Sequence, residues 1–291
     1  MIDNILHTLR RYAPAILLIG FFALLAAAGC LLAPTVITPV PAEELPTELP
    51  TQIPEETPTQ IPTQSPTEPP TEAPTQAPTQ PPPKEARLED VPYYSQKGLL
   101  PTGCELVSAK MVLDYYREEP CTVQEVVDHT LCQYPESADG RTYAPHPENA
   151  FIGSPWDDSS FGCFAPAAVK MMNELLPEGY EAVDTSGTPL MTLAQTYIPQ
   201  GTPVLVWVTI YMAESFPSIG WYLYDADGNP TDIWYEWPAN EHCMVLVGYD
   251  ESKYYFHDPY NSRGLVSYSC ETAEKRFAEI GCYSAAVREI S

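Results

Sequence analysis

Apolar positions along the chain follow three regimes. From Ala15 to Ala33 the sequence is apolar without a break apart from Gly20 and Gly29, and about 20 such residues span a bilayer as a helix. From Pro46 proline returns at every fourth position, 46, 50, 54, 58, 62, 66, 70, 74, 78 and 82, with Thr following most of them. After Leu88 the apolar positions become periodic, at helical spacing early and in alternation later. Helices are predicted over Gly103–Tyr116, Thr122–Leu131, Pro166–Leu176, Leu190–Tyr197 and Thr272–Glu279. Strands are predicted over Pro203–Tyr211, Gly220–Tyr224, Ile233–Trp237, His242–Tyr249, Lys253–His257 and Tyr283–Glu289. Helices mostly early and strands mostly late predict one α+β domain over residues 87–291, with an N-terminal helical part and a C-terminal antiparallel sheet.

The first two regimes predict how this domain is carried. Arg10 and Arg11 precede the apolar run, so the positive-inside rule places residues 1–11 in the cytoplasm and everything after Pro34 outside. Residues 12–34 read either as a single-pass transmembrane anchor or as a lipoprotein signal, in which small residues from Ala26 to Gly29 precede Cys30 in a bacterial lipobox-like arrangement. Leu31 and Leu32 continue the apolar run, which favours the transmembrane helix. Residues 35–86 read as a disordered, polyproline-like stalk, because proline lacks a backbone donor and the segment offers too few apolar groups to offset chain entropy. Such a spacer, at about 3.1 Å per residue, reaches on the order of 100 Å. That is long enough to cross a thick cell wall, which makes the wall a possible partner alongside the membrane. The expected location is the cell membrane, with the domain extracellular.

Composition narrows the partners. Across 291 residues, 14 Lys and Arg face 39 Asp and Glu, a net charge of −25. Such a surface repels phosphate backbones, so nucleic acid is not expected as a partner.

The candidate chemistry lies in the domain. Thr102 is followed three positions later by Glu105 and then by the apolar-rich run Leu106–Tyr116, the pattern of a capping box with Thr102 as N-cap. Cys104 then falls in the first helical turn, where free N–H groups and the helix dipole favour a thiolate. A nucleophile also needs a base. After Arg87 the histidines are His129, His146, His242 and His257. His242 opens the nearly continuous apolar run to Tyr249, the pattern of a central strand. The turn Asp250–Lys253 leads into a returning strand that ends at Asp258, and a hairpin of that length brings the Asp258 carboxylate back to the His242 end, where it orients the imidazole. Alternation points His257 to the opposite face.

The runs Val91-Pro92-Tyr93-Tyr94-Ser95-Gln96, Pro101-Thr102-Gly103-Cys104-Glu105, Glu241 to Asp250 and Phe256-His257-Asp258-Pro259-Tyr260 together resemble the stand-alone relatives of the bacteriocin-processing, double-glycine-leader peptidases. The resemblance covers Leu88 to Ile290 and implies a papain-like cysteine peptidase fold. It implies Cys104 as nucleophile, His242 as general base and acid, Asp258 as orienter and Gln96 as oxyanion-hole donor, with a peptide or protein substrate and no cofactor. Leader-cleaving members are fused to transporters and work on the cytoplasmic side, and this sequence shows neither a transporter nor an ATPase segment. The double-glycine leader is therefore not the expected substrate. The leading expectation is an extracytoplasmic, membrane-anchored, thiol-dependent peptidase. A hydrolase of peptidoglycan stem peptides and a non-catalytic surface binding module on the same fold are the alternatives.

Two further clusters stand out. Trp221, Tyr222, Tyr224, Trp234, Tyr235 and Trp237 crowd a predicted hairpin around Asp227-Gly228-Asn229, and core and cross-strand packing explains them more simply than a ligand wall. Cys121, Cys132, Cys163, Cys243, Cys270 and Cys282 contain no closely spaced pair of the zinc-binding kind. If helices separate Cys121 from Cys132 and Cys270 from Cys282, neither sequential pair is close enough for a disulfide.

Overall fold

The computed structural model of the chain describes residues 81–225 and 227–290. The predicted membrane anchor and nearly all of the predicted stalk lie outside these residues. Among the described residues no helix is long and apolar enough to cross a membrane.

A seven-stranded antiparallel sheet forms the frame. Its strands are β1 (Ala86–Arg87), β6 (Tyr180–Asp184), β7 (Val204–Thr209), β10 (Glu241–Tyr249), β11 (Lys253–His257), β12 (Leu265–Ser269) and β13 (Ser284–Glu289), in the order β12-β11-β10-β7-β13-β6. The short β1 pairs with the far end of β10, Ala86 opposite Tyr249 and Arg87 opposite Gly248. The Tyr249 hydroxyl donates to the Pro83 carbonyl at 2.7 Å and closes the same corner. Strands β7 and β10 are the central pair, and every residue of both is buried. Their near-continuous Val, Leu and Met content follows from burial on both faces.

Helix α1 (Cys104–Tyr116) packs on one face of this sheet. All ten residues from Cys104 to Leu113 are buried, and a helix apolar on all sides is a helix enclosed on all sides. The polar residues inside it are partnered. Ser108 Oγ donates to the Cys243 carbonyl at 3.0 Å, and Lys110 pairs with Asp114 and sits over the Tyr94 ring. On the same side lie α2 (Val123–Asp128) and α3 (Ala165–Leu175), while α4 (Leu190–Tyr197) and α5 (Cys270–Ile280) cover the opposite face.

Six strands lie outside the main sheet. These are β2 (Cys132–Gln133) and β5 (Phe151–Ile152), paired in parallel, and β3 (Glu136–Ala138) and β4 (Arg141–Ala144), which extend the hairpin of β8 (Pro217–Tyr224) and β9 (Pro230–Pro238), giving four strands in the order β3-β4-β8-β9. Joined to the hairpin, two more strands make a sheet of independently stable size.

Several expectations are corrected. The helix predicted over Thr122–Leu131 stops at Asp128, and its last predicted residues run on into strand β2. A complete capping box forms at Thr122 and Glu125. The N-cap of α1, in contrast, is Gly103, without a side-chain cap bond. Thr102 Oγ1 instead donates to the Asp157 carbonyl at 2.9 Å, tying the entrance of α1 to a distant loop. Strands β1 to β6 and β12 are absent from the sequence expectation. They are only two to five residues long, too short for alternation to mark them. The cysteines 104, 121, 132, 163, 243, 270 and 282 are all free thiols.

Candidate active site

The site is built where the start of α1, the start of β10 and the end of β11 meet. Register explains the pairing of His242 with Asp258. Val245 stands opposite His257, so Asp258 continues that ladder toward Met244, two residues from His242 and on the same side of the strand. His242 Nε2 donates to Asp258 Oδ1 at 2.8 Å, with both side chains almost wholly buried. The backbone N–H groups of Tyr260 and Asn261 donate to the same oxygen at 2.9 and 3.2 Å. Burial pushes the Asp258 carboxyl up, but the hydrogen bond and charge of His242 and the two amides outweigh it, and the net shift is downward. Committing Nε2–H to a carboxylate fixes the tautomer and leaves Nδ1 as the acceptor. Tyr260 meets the imidazole edge-to-face, ring centroids 6.1 Å apart.

Gln96 lies in the loop before α1 and is joined to the Asp258 loop, its own N–H donating to the Pro259 carbonyl at 2.9 Å. Its side-chain Nε2 donates to the Pro101 carbonyl at 3.0 Å, and its Oε1 is buried without a partner.

Cys104 occupies the first position of α1, buried against the start of β10. Its surroundings differ from the sequence expectation. Among the described residues, the hydrogen bond of the thiol goes to Glu105 Oε2 at 3.3 Å rather than to His242. Glu105 is fully buried and its other oxygen accepts the Cys163 N–H at 2.9 Å. Glu241, the residue before His242, turns to the same point. Donor atoms of Cys104, Glu105 and Glu241 lie within 4.8 Å of one another, and Glu241 Oε1 has no hydrogen-bond partner. Gly162 makes room for this arrangement, since a Cβ there would stand 2.0 Å from Glu105 Oε1.

The electrostatics follow from that packing. Burial and then the adjacent carboxylates of Glu105 and Glu241 push the Cys104 thiol well above its ordinary value. Burial lifts Glu105 to about 7, against the pull of backbone N–H groups and the thiol. Burial, then the neighbouring Glu105, raises Glu241 well above the carboxylate range. The expectation of a thiolate stabilised by a capping box is therefore corrected. The helix terminus is present, but Glu105 is a buried neighbour of the sulfur and not a cap. Alternation along β10 accounts for the split, because Glu241 and Cys243 face α1 while His242 shares its side with Met244 and Leu246.

The aromatic residues of the β8–β9 hairpin divide by face. Trp221 and Trp237 are buried, with Tyr235 against them, in a stack that includes Phe161 and Phe164. Tyr222 and Trp234 pair across the strands on the outer side, where Trp234 is 50% exposed. Sequence reading passed over Glu105 as a buried group, together with Glu241, Gly162 and Cys163. A glutamate directly before the candidate base, at the head of an apolar strand, was the available signal.

Residues 88–285 match the Peptidase_C39 like family. Among solved structures, a C39-like peptidase from Bacillus anthracis aligns over 72% of this chain and 100% of its own, with 23% identity and a TM-score of 0.61. Xylellain, a cysteine protease from Xylella fastidiosa, aligns over 72% of this chain and 87% of its own, with 10% identity and a TM-score of 0.38. That similarity is too low to add to the argument. Among curated proteins, none matches the chain.

Proposed function

Because the chain belongs to the Peptidase_C39 like family and is a cysteine peptidase of papain-like α+β fold, we propose that it cleaves peptide bonds outside a bacterial-type membrane, with Cys104, His242, Asp258 and Gln96 as its catalytic set. The observation that carries this reading is the buried 2.8 Å bond from His242 Nε2 to Asp258 Oδ1. It holds an imidazole, with Nδ1 as acceptor, in the strand whose neighbouring residues flank Cys104.

In the proposed reaction the Cys104 side chain rotates from Glu105 toward His242. Nδ1 takes the thiol proton as the sulfur attacks the scissile carbonyl, and Asp258 stabilises the imidazolium that forms. The developing oxyanion is met by the Cys104 backbone N–H and by Gln96, whose Nε2 turns from Pro101 to donate to it. The imidazolium returns its proton to the leaving amine, and water, deprotonated by the same imidazole, releases the acid from the thioester.

The N-terminal sequence supports anchoring. The apolar run after Arg10 and Arg11, and the proline-periodic spacer that follows it, suit a domain held at a distance from a membrane, in reach of cell-wall and extracellular peptides. The decisive experiment compares surface and secreted peptides from cells carrying the wild-type chain with those from cells carrying Cys104→Ala. Peptides that accumulate uncut with the variant identify the substrate, and identical peptide pools overturn the reading. Muropeptides from the same cells test stem peptides as the substrate. Recovery of the intact chain from cytosol overturns the exported location, and palmitate labelling at Cys30 separates the two anchors.

A further inference from the structure

The cluster beside the nucleophile has a composition the peptidase reaction does not use. Two carboxylates and a thiol, all buried, converge within 4.8 Å, and no positively charged group of the described residues pairs with Glu105 or Glu241. Two observations separate this cluster from a chance meeting of acidic residues. Glu241 is buried with one carboxylate oxygen in the cluster, and its Oε1 has no hydrogen-bond partner. Glu105 is held in place from outside, its Oε1 by the Cys163 N–H at 2.9 Å, so that its Oε2 is presented to the sulfur. Gly162 provides the space that this placement needs.

We propose that Cys104, Glu105 and Glu241 form a binding site for a thiophilic divalent cation of the Zn²⁺ class, which holds the peptidase inactive by taking its nucleophile as a ligand. The chemistry of the donors selects the ion. One sulfur and two carboxylate oxygens match the borderline-soft preference of Zn²⁺, whereas Mg²⁺ and Ca²⁺ prefer oxygen alone. The geometry is close to what is required. With bonds of about 2.0–2.3 Å, a tetrahedral ion sets its donors roughly 3.3–3.8 Å apart. The sulfur and Glu105 Oε2 are already 3.3 Å apart, and a small rotation of Glu241 brings in the third donor. Binding forms an S–M bond and releases to solvent the thiol proton and any proton held by the Glu105 and Glu241 carboxyls, with no change of oxidation state. Two carboxylates and one thiolate give three negative charges against the two of the ion, which replaces a buried, unsatisfied acidic cluster with a nearly neutral one. The net charge of −25 on the chain raises the local concentration of cations around it. The site shares Cys104 with the proposed catalytic set, but metal binding does not depend on turnover.

Cobalt provides the test, as a spectroscopic stand-in for zinc. The full chain is reduced, stripped with a chelator and titrated with CoCl₂ while thiolate-to-cobalt charge transfer is followed in the near ultraviolet. The expected result is one equivalent of Co²⁺ with a charge-transfer band that Cys104→Ser abolishes and that ZnCl₂ displaces. Glu241→Gln should weaken the affinity by at least the roughly 10- to 100-fold that loss of an outer-sphere partner costs. Circular dichroism establishes that each variant is folded. For the wild type alone, one equivalent of ZnCl₂ should raise the unfolding temperature, and a chelator should reverse the shift. A band that survives in Cys104→Ser, or no saturable binding and no thermal shift in the wild type, overturns the proposal. Failure of the peptidase reading looks different, as peptide turnover that persists in Cys104→Ser whatever the metal does.

Discussion

The two sides of the centre, one on each face of β10, differ in how their charges are balanced. On the His242 side every polar atom of the Asp258–His242 pair that is buried is matched, with the imidazole and two backbone amides converging on one carboxylate oxygen. On the Cys104 side two carboxylates and a thiol are crowded together, and one oxygen has no partner. The proposed base is thus oriented in advance, while burial and the adjacent carboxylates hold the proposed nucleophile as a neutral thiol. In a papain-like site the thiolate and imidazolium stabilise each other. Here the neighbours of the thiol disfavour that state, so the proposed reaction requires a change in the surroundings of Cys104, with the Asp258–His242 pair already in place.

The largest effect expected from breaking this comparison is on the oriented side. Replacing the proposed catalytic imidazole, His242→Ala, should lower peptide turnover by about 10⁴ or more, measured with whichever peptide accumulates in the Cys104→Ala cells. Asp258→Asn should lower turnover by up to about 10⁴ through the wrong tautomer. It should also destabilise the domain by about 3–5 kcal/mol, the usual result of breaking a buried pair, as read by urea unfolding.

The acidic side should show itself in the pH dependence of stability. The Glu105 carboxyl rises from an ordinary 4.5 to about 7 in the folded chain. A raised folded value means that the protonated form is favoured by folding. The associated stability is full below about pH 4.5 and is lost as pH rises through about 7, by on the order of 2–4 kcal/mol. Asp258 is shifted the other way. Its contribution is full above its ordinary value and is lost as pH falls through its lowered folded value. Urea unfolding in chelator-containing buffers from pH 5 to 8 measures the first effect, and Glu105→Gln should flatten the profile. The same variant should speed alkylation of Cys104 by iodoacetamide near pH 7.5, since a raising charge is gone. Equal rates in wild type and variant would show that Glu105 does not restrain the sulfur.

A smaller effect is expected at Gly162→Ala, where the added methyl meets Glu105 Oε1. Overpacking of this kind costs about 1–3 kcal/mol, and thermal unfolding together with Cys104 alkylation tests whether displaced Glu105 also frees the thiol.

What could be read from the sequence depended on how local its cause is. Strands β10 and β11 and the turn between them lie within 20 residues, and their apolar pattern was enough to predict the approach of Asp258 to His242. Helix α1 was legible for the same reason. The surroundings of Cys104 were not. Thr102 and Glu105 have the spacing of a capping box, and Thr122 and Glu125 fulfil the same pattern in full at the next helix. At α1 the pattern loses to tertiary contacts, because Asp157 takes the Thr102 hydroxyl and Cys163, 58 positions away, takes the Glu105 carboxylate. The small sheet of β3, β4, β8 and β9 was half legible. Its aromatic hairpin follows from propensity, but β3 and β4 are too short and too exposed to announce themselves.

The corner where β1 and the Tyr249 hydroxyl hold the beginning of the described chain also determines how the domain bears tension. A pull arriving from residues before Pro83 is taken first by the Tyr249–Pro83 bond and the two-residue β1 ladder. Both grip the last residues of β10, whereas His242 sits near its start, seven residues away and therefore about 24 Å along the strand. Were the chain held by the proposed anchor, drag on it would peel β1 before loading the central sheet, and the corner would act as a mechanical fuse that spares the end of β10 carrying His242.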